Sequence, residues 1–228
     1  MLCFRYQEFD SDAFQRPFYR VVRVEPDRFE GEFRELATTA RLIADAKLRS
    51  DKIDGGAMLM RCGFRKICTQ IELACDLNGP IDAPANADVR DRLELDDEVI
   101  AAHATHFEYD RFALDVLLPK DGHDRLYRNW IRNSLENGKH RIAVRDNNFI
   151  TFRSQEADVK IDLVSVLDKG LGIGTDLIRA LLQDAQAHGL RRVKVVTECE
   201  NAPAVGLYMK MGFTPVAFDS VFHFVANN

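Results

Sequence analysis

An α/β fold with a mixed central sheet is what this sequence predicts, and three observations predict it. Val159 to Val166 is an apolar, β-branched run, and it breaks at Asp168-Lys169-Gly170-Leu171-Gly172-Ile173-Gly174 directly before a helical pattern. A second strand follows at once, with Val193, Val195 and Val196 leading to Thr197, and then a short helix from Asn201 with Ala204, Leu207 and Tyr208 on it. Third, GAMLMRCGFRKI (residues 56–67) aligns without a gap to VGLYMKMGFTPV (residues 205–216), so helix, Gly-Phe and strand occur twice.

The glycine-rich turn carries the first chemistry. Gly170, Gly172 and Gly174 allow a tight turn and a close approach of backbone to ligand, with no Cβ in the way. The helix that follows presents unpaired N–H groups and a positive dipole end to an anion. Leu177, Ile178, Leu181, Leu182 and Ala185 form its apolar stripe, and Gly189 supplies its stop. The spacing is G-x-G-x-G, not the G-x-G-x-x-G of a dinucleotide site, and the Gly-Lys-Ser/Thr of a triphosphate loop is absent.

From the amino end, FDSDAFQRPFYRVVRV reads as a turn into a strand at 19–24. A long helix is predicted over 29–49, with Phe33, Leu36, Ala37, Ala40 and Ala44 as its stripe. The Pro-, Asn- and Ala-rich stretch 79–90 reads as a linker between a front domain, 1–78, and a second domain, 91–228. That second domain begins with a helix to about Phe107, a loop containing Arg111 and Phe112, and a helix over 124–137.

Composition excludes several classes. At 46% hydrophobic and 29% charged residues the chain is ordinary globular material, and a net charge of −5 without a basic block argues against nucleic acid. Apolar runs are of strand length and the amino end is polar, so no membrane span or signal peptide is expected. Five cysteines without a C-x-x-C pair read as reduced, cytoplasmic thiols. His103 and His106 lie three apart, but no further ligands converge on them, so no metal is expected.

KGLGIG, followed by N-x-x-A-x-x-L-Y-x-x-x-G-F (residues 201–213), resembles the coenzyme A site of the Gcn5-related N-acetyltransferases, with Lys169 where Gln or Arg is usual. The resemblance covers about the last third of the chain. It implies a sheet with helices on both faces and two splayed strands, at 159–166 and 193–197. It further implies that acetyl-CoA binds through Leu163, Val164, Val166, Lys169, Gly170, Leu171, Gly172, Ile173, Gly174, Thr175 and Asn201. Tyr208, which on an arbitrary helix would be read as a half-buried core tyrosine, becomes the candidate acid that protonates the leaving thiolate. No general base declares itself: Glu198 and Asp162 lie near the splayed strands, but each reads equally well as a surface carboxylate. In the front copy Leu59 replaces Tyr208, Lys52 replaces Asn201 and no glycine loop is present, so it reads as a degenerate acetyltransferase domain forming a wall of the acceptor site.

A narrower resemblance spans nearly the whole chain. The FDSDAF opening, the DRF loop and LYRNWIRNS are similar to the dTDP-4-amino-4,6-dideoxyhexose (dTDP-fucosamine) N-acetyltransferases of cell-surface polysaccharide biosynthesis. Departures are Phe9 for Trp, Asp110 for Ser, and Cys68 in a stretch that is acidic in those enzymes. It implies a dTDP-amino sugar as acceptor. Arg111, Arg125, Tyr127, Arg128 and Trp130 offer cationic and aromatic contacts to a nucleotide diphosphate, although a solvated helix face explains the arginines at least as well, and a homodimer is a candidate assembly. The alternatives are an acetyltransferase for another small primary amine, such as an amino acid or aminoglycoside, and a coenzyme A-binding module without turnover.

Overall fold

The computed structural model describes residues 3–79, 81 and 85–226, so part of the expected linker, residues 80 and 82–84, lies outside the described residues. The front half supplies β1 (Phe4–Tyr6), α1 (Glu8–Phe14), β2 (Phe18–Val21), α2 (Pro26–Leu36), β3 (Ile43–Arg49), α3 (Ile53–Arg61) and β4 (Arg65–Asp76). After the short β5 (Asp88–Arg90) come α4 (Asp97–Ala104), α5 (Lys120–Glu136), β6 (Arg141–Arg145), β7 (Asn148–Gln155) and β8 (Asp158–Ser165). The chain continues through α6 (Ile173–Ala187), β9 (Arg192–Glu198), α7 (Ala202–Lys210) and β10 (Thr214–Val225).

Among the described residues, ten strands join one mixed sheet in the order β1-β2-β3-β10-β4-β9-β8-β7-β6-β5. The two long terminal strands are exchanged. Strand β10 lies antiparallel between β3 and β4, while β4 lies antiparallel between β10 and β9. Each half therefore completes the sheet of the other. The echo seen in the sequence is also an echo in backbone: α3 and α7 are both nine residues long and lead into strands of twelve. Lys52 and Asn201 precede them at φ −83, with ψ 62 and 63, and Gly63 and Gly212 follow at φ +86.

Helices cover both faces. One core places α6 and α7 against β4, β7, β8 and β9, through Leu177, Leu181, Leu73 and Val195 among others. On the opposite face α1, α4 and α5 pack through Phe14, Ile100, Leu126 and Ile131 onto Ile43, Phe149 and Leu163. A third core holds α2 and α3 on the front strands through Phe29, Phe33, Leu59 and Phe222.

The helix expected over 29–49 is two elements, α2 and β3. Thr38 and Thr39 end the helix, Arg41 takes a left-handed φ of +58, and Ile43–Arg49 runs as a strand between β2 and β10. The small, largely apolar stretch Ile43-Ala44-Asp45-Ala46 is buried on both faces, and periodicity does not distinguish such a stretch from a buried helix. The Ala40 and Ala44 assigned to a helical stripe belong to the turn and the strand.

A bulge in β8 sets the geometry of the site. Phe152 pairs with Ile161 and Thr151 with Leu163, so Asp162 is the extra residue. The alternation of side chains shifts there: Val159 and Ile161 face α6, whereas Leu163 enters the core under α5. Asp162 is held in place by His140 at 3.1 Å, Arg153 at 2.8 Å and Lys160 at 3.7 Å.

Candidate active site

Strands β8 and β9 run parallel and pair at Asp158–Arg192, Val159–Val193 and Lys160–Lys194, and no further. Beyond that point β8 stays with β7 as far as Ser165, and β9 stays with β4 as far as Glu198. The sheet opens between them. The result is a cavity of about 580 Å³ that reaches from the glycine loop, through the gap, to the loop between α4 and α5.

The loop end is built from local chemistry. Gly170 and Gly172 have φ of +83 and +75, values that L side chains rarely adopt, and a Cβ at either would meet no protein atom within 4 Å. Gly174 is packed instead, since a Cβ there would lie 2.9 Å from Leu207 of α7. The exit from β8 is fastened by the buried Asn148, whose Oδ1 accepts the Leu167 N–H at 2.7 Å and whose Nδ2 donates to Asp168 at 3.1 Å. Gly172 caps α6 in the left-handed region, and residues 172–175 at the start of α6, where the first-turn N–H groups have no partner within the helix, line the cavity.

Tyr208 is 3% exposed, with its ring against Phe213 at 5.6 Å, and it lines the cavity. Burial, with the charge of Glu198 adding to it, pushes the phenol well above its ordinary value near 10, so it remains a proton donor. Asn201 turns the chain into α7, its Oδ1 accepting the Ala204 N–H at 3.3 Å.

At the other end the walls are polar and aromatic. Tyr127 is buried, stacked on Phe107 at 4.0 Å and against Trp130 at 5.7 Å. Asp110 accepts from His123 at 2.8 Å and from the Phe112 N–H at 2.8 Å. Arg111 lies 4.3 Å over the Phe112 ring and reaches Asp45 at 3.5 Å. Asp45 is gripped by both Arg20 nitrogens of one face, and the Arg111 and Arg20 charges, against burial, hold its carboxyl below the usual range.

Of the residues singled out from the sequence, Leu163, Val164, Val166, Lys169, Gly170, Gly172, Ile173, Gly174, Thr175, Asn201 and Tyr208 line this one cavity, as do Arg111, Tyr127 and Trp130. Leu171 is 69% exposed and does not line it. Sequence reasoning overlooked Lys47, Gln70, Phe107 and Asp110, which also line it. His103 is fully buried and ties α4 to the sheet, through Ser165 at 2.7 Å and the Asn147 carbonyl at 2.9 Å. Among the described residues no group of three His, Cys, Asp or Glu could hold a metal ion, and no helix is long and apolar enough to cross a membrane.

Comparison with known proteins bears on this geometry. Over 97% of its length the chain superposes on a GCN5-related N-acetyltransferase from Sphaerobacter thermophilus, at a TM-score of 0.62, 12% identity and 76% of that chain. This is the GNAT acetyltransferase fold. A tandem GNAT protein from the clavulanic acid biosynthesis pathway superposes at 0.58 and 15% identity, covering 93% of this chain and 76% of the other. The GNAT acetyltransferase family model matches residues 168–213, from the glycine loop to the Gly-Phe that follows α7. Over 46 residues the chain is 46% identical to mycothiol acetyltransferase from Corynebacterium glutamicum (strain R). That match spans 20% of this chain and 16% of the relative's length.

Proposed function

We propose that this chain is an enzyme that moves the acetyl group of acetyl-CoA to a small primary amine, by direct attack within a ternary complex. The observation that carries the reading is the opening of β8 from β9 after Lys160–Lys194, with the glycine loop at one end of the gap and the protonated Tyr208 beside it. Free backbone groups along separated strands suit an extended pantetheine arm, which adds to them like a strand. The loop 169–174 and the start of α6 suit the pyrophosphate, whose charge meets N–H donors and a helix dipole.

In this reading the amine nitrogen attacks the thioester carbonyl, the C–N bond forms, and the C–S bond breaks. Tyr208 gives its proton to the departing thiolate. Phe107 and Trp130 at the far end, with Arg111, suit an acceptor that carries a flat ring and negative charge. We take that acceptor to be a dTDP-4-amino-4,6-dideoxyhexose, used in the cytoplasm for cell-surface polysaccharide. The front half, 1–78, we take as a degenerate copy that lends its last strand to the acceptor wall; a homodimer is compatible with this arrangement.

Incubation with acetyl-CoA and a panel of nucleotide-linked 4-amino sugars, amino acids and aminoglycosides, read by mass spectrometry, tests both levels. An acetylated nucleotide sugar supports the full reading. Acetylation of another amine alone replaces the acceptor, and acetylation of none contradicts the activity.

A further inference from the structure

Among the carboxylates that line the cavity, Glu198 differs in its surroundings. Asp162 is tied by His140, Arg153 and Lys160, and Asp110 by His123. Glu198 is buried at the last rung of β9, where Gln70 Nε2 donates to its Oε1 at 2.8 Å. Gln70 faces it directly across the β4–β9 pairing, and in this orientation the Gln70 Oε1 is buried without a hydrogen-bond partner. Gln70 is 8% exposed and lines the cavity, as Glu198 does. A buried carbonyl oxygen without a donor costs free energy unless a ligand supplies one.

Resting on the acetyl transfer proposed above, we infer that Gln70 and Glu198 form the seat of the acceptor nitrogen: Gln70 Oε1 accepts one N–H, and Glu198 accepts another and takes that proton as the C–N bond forms. Two acceptors side by side fit a primary amine, which has two N–H bonds to give while its lone pair points at the carbonyl carbon. The protons balance. The nitrogen loses one to Glu198, the thiolate gains one from Tyr208, and transfer through solvent from the Glu198 carboxylic acid to the phenolate restores both.

The surroundings of Glu198 support proton uptake. Burial raises its carboxyl, partly offset by the Gln70 hydrogen bond, and the Asp110 charge raises it further against Arg111. Tyr208 from α7 and Cys68 from β4 also feel its charge, each pushed up by burial first and by Glu198 after, and Tyr127 from α5 is pushed up by burial, then by Asp110, then by Glu198. Cys68 is pushed up to about 12, so it stays a neutral thiol and does not compete as base.

The seat joins the two halves of the chain. Gln70 comes from the front half's exchanged strand and Glu198 from the back half, 128 residues on. Gln70 binds the acceptor nitrogen and orients Glu198, and Glu198 acts as the base.

Two readouts test this. The first is the ¹³C resonance of the Glu198 carboxyl, assigned by its loss in Glu198→Gln, followed while ethylammonium is added in the presence of coenzyme A. The resonance is expected to shift saturably, and to need roughly five- to tenfold more ethylammonium in Gln70→Leu, the loss of about one hydrogen bond. An unmoved resonance overturns the inference whatever the turnover. The second readout is kinetics with the best amine of the panel, with acetyl-CoA affinity and melting as controls. Glu198→Gln should cut kcat about 10²-fold or more and flatten the acid limb of its pH profile, and Gln70→Leu should chiefly raise the acceptor KM. Normal kinetics in both variants overturns the inference and leaves acetyl transfer standing. A saturable shift without turnover on any amine leaves the seat standing and overturns the activity.

Discussion

Leu59 and Tyr208 occupy equivalent places on α3 and α7, 0% and 3% exposed, each followed by Gly at φ +86 and a buried Phe. One copy of the unit uses the position for packing, the other for a phenol at the edge of the cavity. The backbone is shared, and only the back copy lies beside a glycine loop and an open pair of strands.

The glycine loop is expected to fail through its backbone. A Cβ at position 172 meets no neighbour within 4 Å, but Gly172→Val must hold φ at +75, which costs an L residue roughly 1–2 kcal/mol. Relief of that strain redirects the N–H groups at the start of α6. Calorimetry should show acetyl-CoA binding weakened about tenfold or more with a modest fall in melting temperature; unchanged affinity would remove the loop from the donor site.

Asp45 neutralises two arginines in a place with little water. Asp45→Asn removes the carboxylate that pairs with Arg20 and Arg111 and leaves them the charge of Asp10, and because both arginines keep some exposure the loss of stability should be about 3 kcal/mol, the low end for a broken buried pair. Denaturant unfolding measures it. A change below about 1 kcal/mol would show the cluster to be solvated.

His123 should make stability fall with rising pH. Burial alone would lower its affinity for a proton, but Asp110 and then Asp124 outweigh burial and hold it above the ordinary value near 6.5. Stability from this group is therefore full below about pH 6.5 and is lost as pH rises through the folded-state value. His103 and His106, lowered by burial, act in the opposite sense. The difference in melting temperature between the parent and His123→Asn isolates the term: it should shrink between about pH 6 and pH 8, and a constant difference would contradict it.

What was legible in the sequence was local. The turn at 168–174, the stripe of α6 and the cap at Asn201 are each set by residues within a few positions, so they could be read in order. What was not legible depended on partners far along the chain. Nothing in Ile43–Arg49 announces that β2 and β10 will flank it, and nothing near Gln70 announces β9. The bulge at Asp162 is invisible in an alternating run, because it exists only relative to β7. Glu198 and Asp162 looked alike as strand-end carboxylates; the neighbours that distinguish them come from other strands and loops.

Thiol release from acetyl-CoA in the presence of the best amine, compared between the parent and Tyr208→Phe, tests whether acetyl transfer takes place at this cavity with Tyr208 as the proton donor. Phe keeps the ring against Phe213 and removes only the hydroxyl. In Tyr208→Phe turnover should fall about 10²–10⁴-fold, with acetyl-CoA affinity and melting nearly unchanged. Turnover within a few-fold of the parent across the pH range would contradict it.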